Sequence, residues 1–448
     1  MCSMSSTASK VASTFEVSPR VFVLGCLSKG VTVYQQQIRA LNLAWALSKL
    51  GASGDRSLGE VAVVGGGVAG LTFCSAIISI TKAPVTLLEQ RWDLCPLQQG
   101  SDTRWLHPLL YSWPELGSRR PSAGLPVLDW KAGRASDIAS QILNKFGDRC
   151  MKCADFKREE PTVFLGLGHL RIDASLREIE WIGNSAVRDG RHFRAVDSTG
   201  QRRKFGTVVI ATGFGLEADQ RVEGAIASGS YWRNDTLGQP LLSGTRLTFV
   251  VSGHGDGGLV DLCRLTIERF RQDTILSEIF GDDLELVEKE FRALIGPRGG
   301  RVAKNVKQLL DGASPPLAAC IDSAVNRLKV RLRKDVRVIL HVRPAANQWS
   351  IDSLFENKSS FLNRVLLYLL YRVGAFVIAL DELDIAVKRN SIQESRVVQR
   401  HGTAAYDQVL GLFSDPKRVM KKLKNMQNAD AQPASPLWPA GFFPPDEE

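Results

Sequence analysis

Residues 61–89 read VAVVGGGVAGLTFCSAIISITKAPVTLLE, and this stretch decides the fold. It places an apolar run, a Gly-x-Gly-x-x-Gly turn, a helical pattern and a second apolar run in succession, and it ends in an acidic residue. Cys74 and Ile77 give the helix an apolar face, while Val85 and Leu87 belong to the second buried strand. This order predicts a βαβ unit that binds a dinucleotide.

Each glycine of the turn has a separate physical role. Gly65 permits the tight turn out of the strand, Gly67 lets the backbone approach a pyrophosphate, and Gly70 lets the helix pack closely on the sheet. The phosphates would lie on free N–H groups at the start of the helix. The predicted contacts of this loop are Gly65, Gly66, Gly67, Val68, Ala69 and Gly70.

The acidic end of the second strand predicts the ribose contact. Glu89 would accept a hydrogen bond from a ribose hydroxyl, and Gln90 and Arg91 follow it at the same edge. A carboxylate suits FAD or NAD and would repel the 2′-phosphate of NADP. The alternative interpretation is a glycine-rich turn that binds nothing.

Residues 162–213 alternate between polar and apolar positions and predict short antiparallel strands, one of them within HFRAVDSTGQRRKF (192–205). They end in TVVIATGFG (207–215), an apolar strand followed by glycines that permit a sharp turn. The alternative for this second motif is an ordinary turn at the end of a strand.

With these motifs, residues 58–270 resemble the FAD-dependent oxidoreductases with two dinucleotide-binding folds, the class that includes disulfide reductases and flavin monooxygenases. In that class an Ala-Thr-Gly sequence follows a small β-meander and packs beside the FAD. The resemblance therefore implies that Ala211, Thr212 and Gly213 contact FAD.

A second glycine loop lies in RLTFVVSGHGDGGLVDLCRLTIERF (246–270), at the place of the family's nicotinamide site. The resemblance implies that Gly253, Gly255 and Gly258 bind NAD(P)H. The following sequence, RQDTILSEIFGDDLELVEKEF (271–291), predicts helix instead of a second strand, so no ribose-selecting residue is identified. Asp256 would oppose a phosphate unless a cation or a backbone hydrogen bond compensated it. The alternative is a loop that closes over the flavin or packs internally.

The irregular, Pro-, Trp- and Gly-rich segment 93–130 is a candidate substrate or cofactor loop. Arg104 could stabilise negative charge on a reduced flavin, His107 could donate a proton, and Lys131 lies just beyond. The other interpretation is structural, because tryptophan and tyrosine commonly fill interfaces and His-Pro is a natural turn.

Cys150-Met-Lys-Cys153 raises the alternative of a disulfide reductase, since Arg149 and Lys152 would lower a thiol pKa. In the resembling reductases, however, the cysteine pair lies elsewhere relative to the glycine motifs. A surface turn is therefore favoured, and the scattered cysteines and histidines predict no metal site.

Composition limits the functional class. The chain has 448 residues, 44% of them apolar, and a formal net charge of +10, which suits an anionic ligand such as a dinucleotide. No nucleic-acid-binding motif accompanies the charge. The eight cysteines and the lack of a secretory signal favour the cytoplasm.

The most apolar long stretch is FLNRVLLYLLYRVGAFVIAL (361–380), which contains two arginines. It predicts a buried helix running into a strand, with an interfacial helix as the alternative.

The predicted fold class is α/β: a Rossmann-like FAD domain with a β-meander, a second partial dinucleotide-binding domain and a helical C-terminal region. VFVLGC (21–26) predicts a strand and QQQIRALNLAWALSKL (35–50) a helix. The predicted divisions are a mobile N-terminus (1–19), an FAD domain (20–220), a second domain (221–345), a C-terminal α/β region (346–432) and a Pro-rich acidic tail (433–448).

The predicted function is that of an FAD-dependent oxidoreductase, of monooxygenase or dehydrogenase type. A hydride would reach the flavin from NAD(P)H or from the substrate and pass to oxygen or to a small organic molecule. Two alternatives stay open: a flavin-binding regulatory or assembly protein with a protein partner or a homo-oligomeric state, and an NAD-binding protein without flavin.

Overall fold

The computed structural model describes residues 2–27, 32–52, 57–153, 159–183, 200–215, 230–296, 305–343 and 350–446. The chain divides into two units. The first comprises Met1–Ser101, Ser122–Gly215 and Thr403–Glu448, and the second comprises Asp102–Pro121 and Leu216–Gly402.

The helices and strands follow one another along the chain in a mixed α/β order. The helices are α1 (Cys2–Phe15), α2 (Val33–Ala52), α3 (Val68–Ile80), α4 (Ala135–Met151), α5 (Asp256–Thr266), α6 (Ile275–Phe280), α7 (Leu284–Ile295), α8 (Val306–Asp311), α9 (Pro315–Val330), α10 (Phe361–Arg372), α11 (Leu383–Arg389), α12 (Ala405–Leu410) and α13 (Pro416–Ala429). The strands are β1 (Glu16–Ser18), β2 (Val21–Val23), β3 (Val61–Val64), β4 (Val85–Leu88), β5 (Trp105–Leu106), β6 (Gly133–Arg134), β7 (Thr162–Phe164), β8 (Gly168–Asp173), β9 (Glu178–Ile182), β10 (Gly200–Lys204), β11 (Thr207–Ile210), β12 (Leu247–Ser252), β13 (Val336–His341), β14 (Phe376–Ala379) and β15 (Val397–Gln399).

The first unit is built on a six-stranded sheet in the order β1-β2-β11-β3-β4-β7. Its strands are parallel except for the β1–β2 pair. β3, α3 and β4 form the predicted βαβ unit, and β11, which carries the Ala-Thr-Gly sequence, lies directly beside β3. Strands β3, β4 and β11 are buried throughout, as expected for a parallel sheet covered on both faces.

A separate antiparallel sheet in the order β10-β9-β8 precedes β11 and is the predicted β-meander. The start of the quoted HFRAVDSTGQRRKF stretch, residues 192–199, lies outside the described residues. The strand and helix predicted from residues 21–26 and 35–50 are confirmed as β2 and α2.

The predicted mobile N-terminus is wrong, because residues 2–15 form helix α1, which packs on α2. Ala8, Val11, Ala12 and Phe15 are buried and recur at helical spacing. The Ser/Thr-rich composition of this segment concealed that apolar stripe. The tail is also held to the first unit, since Asn42 donates to the carbonyl oxygens of Pro433 and Ser435.

The second unit contains a parallel four-stranded sheet in the order β14-β13-β12-β15. The helices predicted within residues 271–291 are α6 and α7, and they delay the second strand of this sheet until β13. The predicted boundary at residue 346 falls between β13 and β14, two hydrogen-bonded strands of one sheet. Residues 350–402 therefore lie with the second unit and do not form a region of their own.

The apolar stretch 361–380 is confirmed as a buried helix followed by a strand, α10 and β14. Arg364 is fully buried within it. Among the described helices, none is both long and apolar enough to cross a membrane.

Candidate functional site

The first glycine loop leaves open space at its centre. Gly65 has φ +113°, and a Cβ there would lie 2.5 Å from the carbonyl oxygen of Ala211. A Cβ on Gly70 would overlap the carbonyl oxygen of Gly65. Gly67, in contrast, has φ −78° and ψ 178° and nothing within 4 Å of a Cβ position. Neither backbone strain nor packing requires glycine at 67, so the open space suits the approach of a ligand to the start of α3.

Glu89 closes the edge of this loop. Its Oε2 accepts from the backbone N–H of Gly66 at 2.5 Å, and its Oε1 accepts from that of Arg91 at 2.7 Å. Burial raises the pKa of this carboxyl. The side chain thus ties the glycine loop to the end of β4, while Gln90 and Arg91 are exposed.

The Ala-Thr-Gly segment lies at the end of the neighbouring strand. The N–H of Ala211 donates to the carbonyl oxygen of Val64 at 2.7 Å. The Oγ1 of Thr212 is buried and has no hydrogen-bond partner among the described residues. Gly213, with φ +68°, has nothing within 4 Å of a Cβ position. An unsatisfied hydroxyl and an open glycine are what a polar ligand at this edge would use.

The second glycine loop repeats the geometry of the first. Gly253 has φ +107°, and a Cβ there would overlap the carbonyl oxygen of Arg400, while one on Gly258 would overlap that of Gly253. Gly255 has φ −73° and ψ 176° and again nothing within 4 Å. The carbonyl oxygen of Arg400, which follows β15, corresponds to that of Ala211, which follows β11. The two loops are therefore alike in backbone conformation, packing and open central position.

The negative charge of Asp256 is compensated by hydrogen bonds, as the sequence analysis required for an anion-binding loop. Its Oδ1 accepts from the backbone N–H of Ser360 at 2.8 Å and from the side-chain amide of Asn363 at 2.7 Å. Both donors lie at the start of α10. The charge is thus satisfied within the protein.

A cavity of about 270 Å³ opens at the second glycine loop. Its described lining residues are Ser252, Gly253, His254, Gly255, Arg343, Lys358, Arg400 and His401. None of these is acidic, and three carry a positive charge. The cavity therefore attracts anions at the start of α5.

Two histidines and a serine form a hydrogen-bonded chain at this edge. His341 Nε2 lies 2.8 Å from the carbonyl oxygen of Asp381 and must donate to it, so Nδ1 accepts from Ser252 Oγ at 2.7 Å. Ser252 Oγ in turn accepts from His401 Nε2 at 2.7 Å. Burial lowers the pKa of both histidines, which favours the neutral forms that this chain needs. The sequence contains one histidine in VRVILHV (336–342) and another in QRHG (399–402), but no local pattern shows that both meet Ser252.

Arg104 was predicted to contact the flavin, but it lies in the second unit with its charge already compensated. Its Nη1 is 2.5 Å from Asp261 Oδ1 and its Nη2 is 2.8 Å from Asp235 Oδ2. Its guanidinium also lies over the ring of Tyr231. The side chain is buried in this network, whose long-range partners the local sequence did not reveal.

His107 stabilises a turn within the second unit. The Nδ1 of His107 accepts from the backbone N–H groups of Leu109 and Leu110 at 3.2 and 3.1 Å, and burial lowers its pKa. A neutral, turn-stabilising imidazole is a poor proton donor. Lys131 is exposed, in the first unit. The structural interpretation of this segment is favoured.

The cysteine pair lies at the end of α4. Burial raises the pKa of Cys150 to about 12, contrary to the lowered value that Arg149 and Lys152 predicted. Arg149 is instead directed to Asp446, with its Nε 2.7 Å from Oδ1. Cys153 is buried, so the predicted surface turn is only partly correct.

No family model matches the chain, and no curated protein matches it. The solved structures that resemble it include that of an NAD-dependent persulfide reductase from A. fulgidus, at 13% identity and a TM-score of 0.30. That match covers 77% of this chain and 45% of the reductase, so the chain spans less than half of its length. A likeness of this degree does not identify a family.

Proposed function

We propose that the protein is an FAD-dependent oxidoreductase that is reduced by NAD(P)H and passes electrons to oxygen or to a small organic substrate. The main support for this proposal is that the same glycine-loop geometry occurs at the ends of strands in two parallel sheets. In each loop two glycines are required by packing, while the central one, Gly67 or Gly255, faces open space. A purely structural turn would not require glycine at either central position.

The first unit offers a matching set of groups for FAD. Backbone N–H groups after Gly67 would bind the pyrophosphate, and Glu89 would accept from a ribose hydroxyl. Thr212 and Gly213 would lie beside the cofactor, where the buried hydroxyl gains a partner. When bound, FAD supplies the hydride acceptor. The hydrogen bond from Gly66 to Glu89 would hold the loop in this conformation when a ligand binds.

The second unit offers an anion-binding cavity for the nicotinamide nucleotide. Gly255 leaves the start of α5 open, and Asp256 is turned to Ser360 and Asn363. The histidine chain through Ser252 holds the ends of β12 and β13 in one arrangement. The protein's part in the chemistry would be to bind and orient, because the flavin carries the redox step.

The disulfide-reductase alternative is not favoured. A redox-active pair needs an accessible thiolate, whereas burial raises the pKa of Cys150 and Cys153 is buried. A monooxygenase or dehydrogenase is the better candidate.

The deciding experiment is an absorption spectrum of the purified protein, recorded without oxygen before and after addition of NADPH or NADH. Flavin bands that bleach would support the proposal. Bands that persist with both nucleotides would favour a flavin-binding regulatory or assembly protein. No bands after addition of FAD to folded protein would overturn the proposal.

A further inference from the structure

The acidic edge of the first sheet has a basic counterpart in the second. β4 ends at Leu88 and is followed by Glu89, whose carboxylate lies at the glycine loop. The corresponding second strand in the other unit, β13, ends in His341 and is followed by Val342 and Arg343. A carboxylate at this place accepts from a free ribose 2′-hydroxyl, whereas an arginine accommodates a 2′-phosphate. The two edges therefore suit different nucleotides.

The cavity beside β13 strengthens that contrast. Arg343, Lys358 and Arg400 line it with Gly255, and no described lining residue is acidic. Arg400 is oriented by Asp261, whose Oδ2 accepts from its Nε at 2.8 Å. Neither Arg343 nor Lys358 forms an ion pair with a described residue. Their charges are thus not directed to a described carboxylate.

The histidines do not account for the positive charge. Burial lowers the pKa of His341 and His401, and burial together with Lys358 lowers that of His254 to about 4. The lowered pKa values favour the neutral form of all three rings, and His341 and His401 hydrogen-bond to Ser252. The fixed charge comes from the arginines and the lysine.

We propose that this cavity selects the 2′-phosphorylated nucleotide, NADPH, over NADH, and that Arg343 determines the selection with support from Lys358. The inference rests on the part of the proposed function that places a nicotinamide nucleotide at Gly255. A phosphate monoester carries a charge of about −2 at neutral pH, and a guanidinium can bind it through two hydrogen bonds. Such a contact corresponds to a preference of roughly tenfold or more.

The test measures binding, not turnover. Titration calorimetry on the full-length protein would compare NADP⁺ with NAD⁺, and 2′,5′-ADP with 5′-AMP, which differ only in the 2′-phosphate. We expect the phosphorylated member of each pair to bind roughly tenfold more tightly or better. Arg343→Gln should remove most of this preference, leaving only the small part that Lys358 contributes, while the affinity for NAD⁺ changes little.

The matched control is Arg337→Gln. It makes the same charge change at an exposed position near the opposite end of β13 and should leave both affinities unchanged. Arg343→Lys keeps the positive charge but loses the guanidinium that can form two parallel hydrogen bonds to a phosphate. It should therefore retain part of the preference for the 2′-phosphate. If the thermal midpoint showed that Arg343→Gln did not fold, the affinity ratio would be measured on the lysine variant instead.

Equal affinities for NADP⁺ and NAD⁺ would overturn the inference. So would an equal loss of both affinities in Arg343→Gln, because the arginine would then contact a part that the two nucleotides share. Binding of neither nucleotide would overturn it as well. If NADH and NADPH bleached the flavin equally well, the proposed nucleotide selection would be overturned, but the proposed oxidoreductase function would stand. If the protein preferred NADP⁺ but took up no flavin, the nucleotide selection would stand and the proposed flavoprotein function would be overturned.

Discussion

Arg400 donates its Nε–H to Asp261 Oδ2 over 2.8 Å, and this ion pair joins helix α5 to the segment after β15. Asp261 is fully buried and also accepts from Arg104 and Arg264. The three guanidinium groups hold the pKa of this carboxyl below its usual value, against the opposing effect of burial. One carboxylate thus organises a charged cluster whose Arg400 lines the cavity.

Asp261→Asn should therefore lower the free energy of unfolding of the second unit by about 3–5 kcal/mol, because it leaves buried cations without this carboxylate. Urea denaturation followed by tryptophan fluorescence would measure the change. Asp384→Asn is the control, since Asp384 pairs with Lys388 on an exposed face and should contribute less than about 0.5 kcal/mol. Similar small losses in both variants would contradict a structural role for the cluster.

Gly67→Val should abolish FAD binding with little effect on stability. Its side chain would occupy the open space at the start of α3, and the backbone angles at 67 are ordinary for any residue. The FAD content per chain and the thermal midpoint would be measured together. Gly65→Ala should behave differently and lower the midpoint itself, because φ is +113° and Ala211 blocks the Cβ.

Gly147→Val in α4 is the matched control for Gly67→Val, since its Cβ position is also open. It should keep normal FAD content. Full FAD content in Gly67→Val would show that this loop does not hold the cofactor.

Gly255→Val should keep the flavin and lose its reduction by NADPH. The variant places a side chain in the open centre of the second loop, which lies in the other unit. Absorption spectra without oxygen and nucleotide titrations would be recorded on the same sample. Gly244→Val, at an open position before β12, should leave both unchanged. Normal bleaching in Gly255→Val would place nicotinamide binding elsewhere.

The parts that sequence predicted well are those whose partners are close in the chain. The βαβ unit around Gly65 and Glu89 lies within one continuous stretch, so its pattern contains most of its contacts. The second sheet was harder, because α6 to α9 separate β12 from β13 and no local pattern pairs them. Arg104 shows the same limit: its partner Asp261 lies 157 positions away, and only the fold brings them together.

His254 should make the stability of the second unit depend on pH. Burial, together with Lys358, lowers its pKa from 6.5 to about 4, so at pH 5 the folded protein holds it neutral while the unfolded chain binds a proton. Because the unfolded state binds more protons, stability rises with pH: the contribution is complete above about 6.5 and is lost as the pH falls toward 4. At pH 5 the loss is about 1–2 kcal/mol.

Urea midpoints at pH 7, 6 and 5 should thus fall less steeply for His254→Gln than for the unaltered protein. Parallel slopes for His254→Gln and the unaltered protein would mean that His254 titrates alike in the folded and unfolded states.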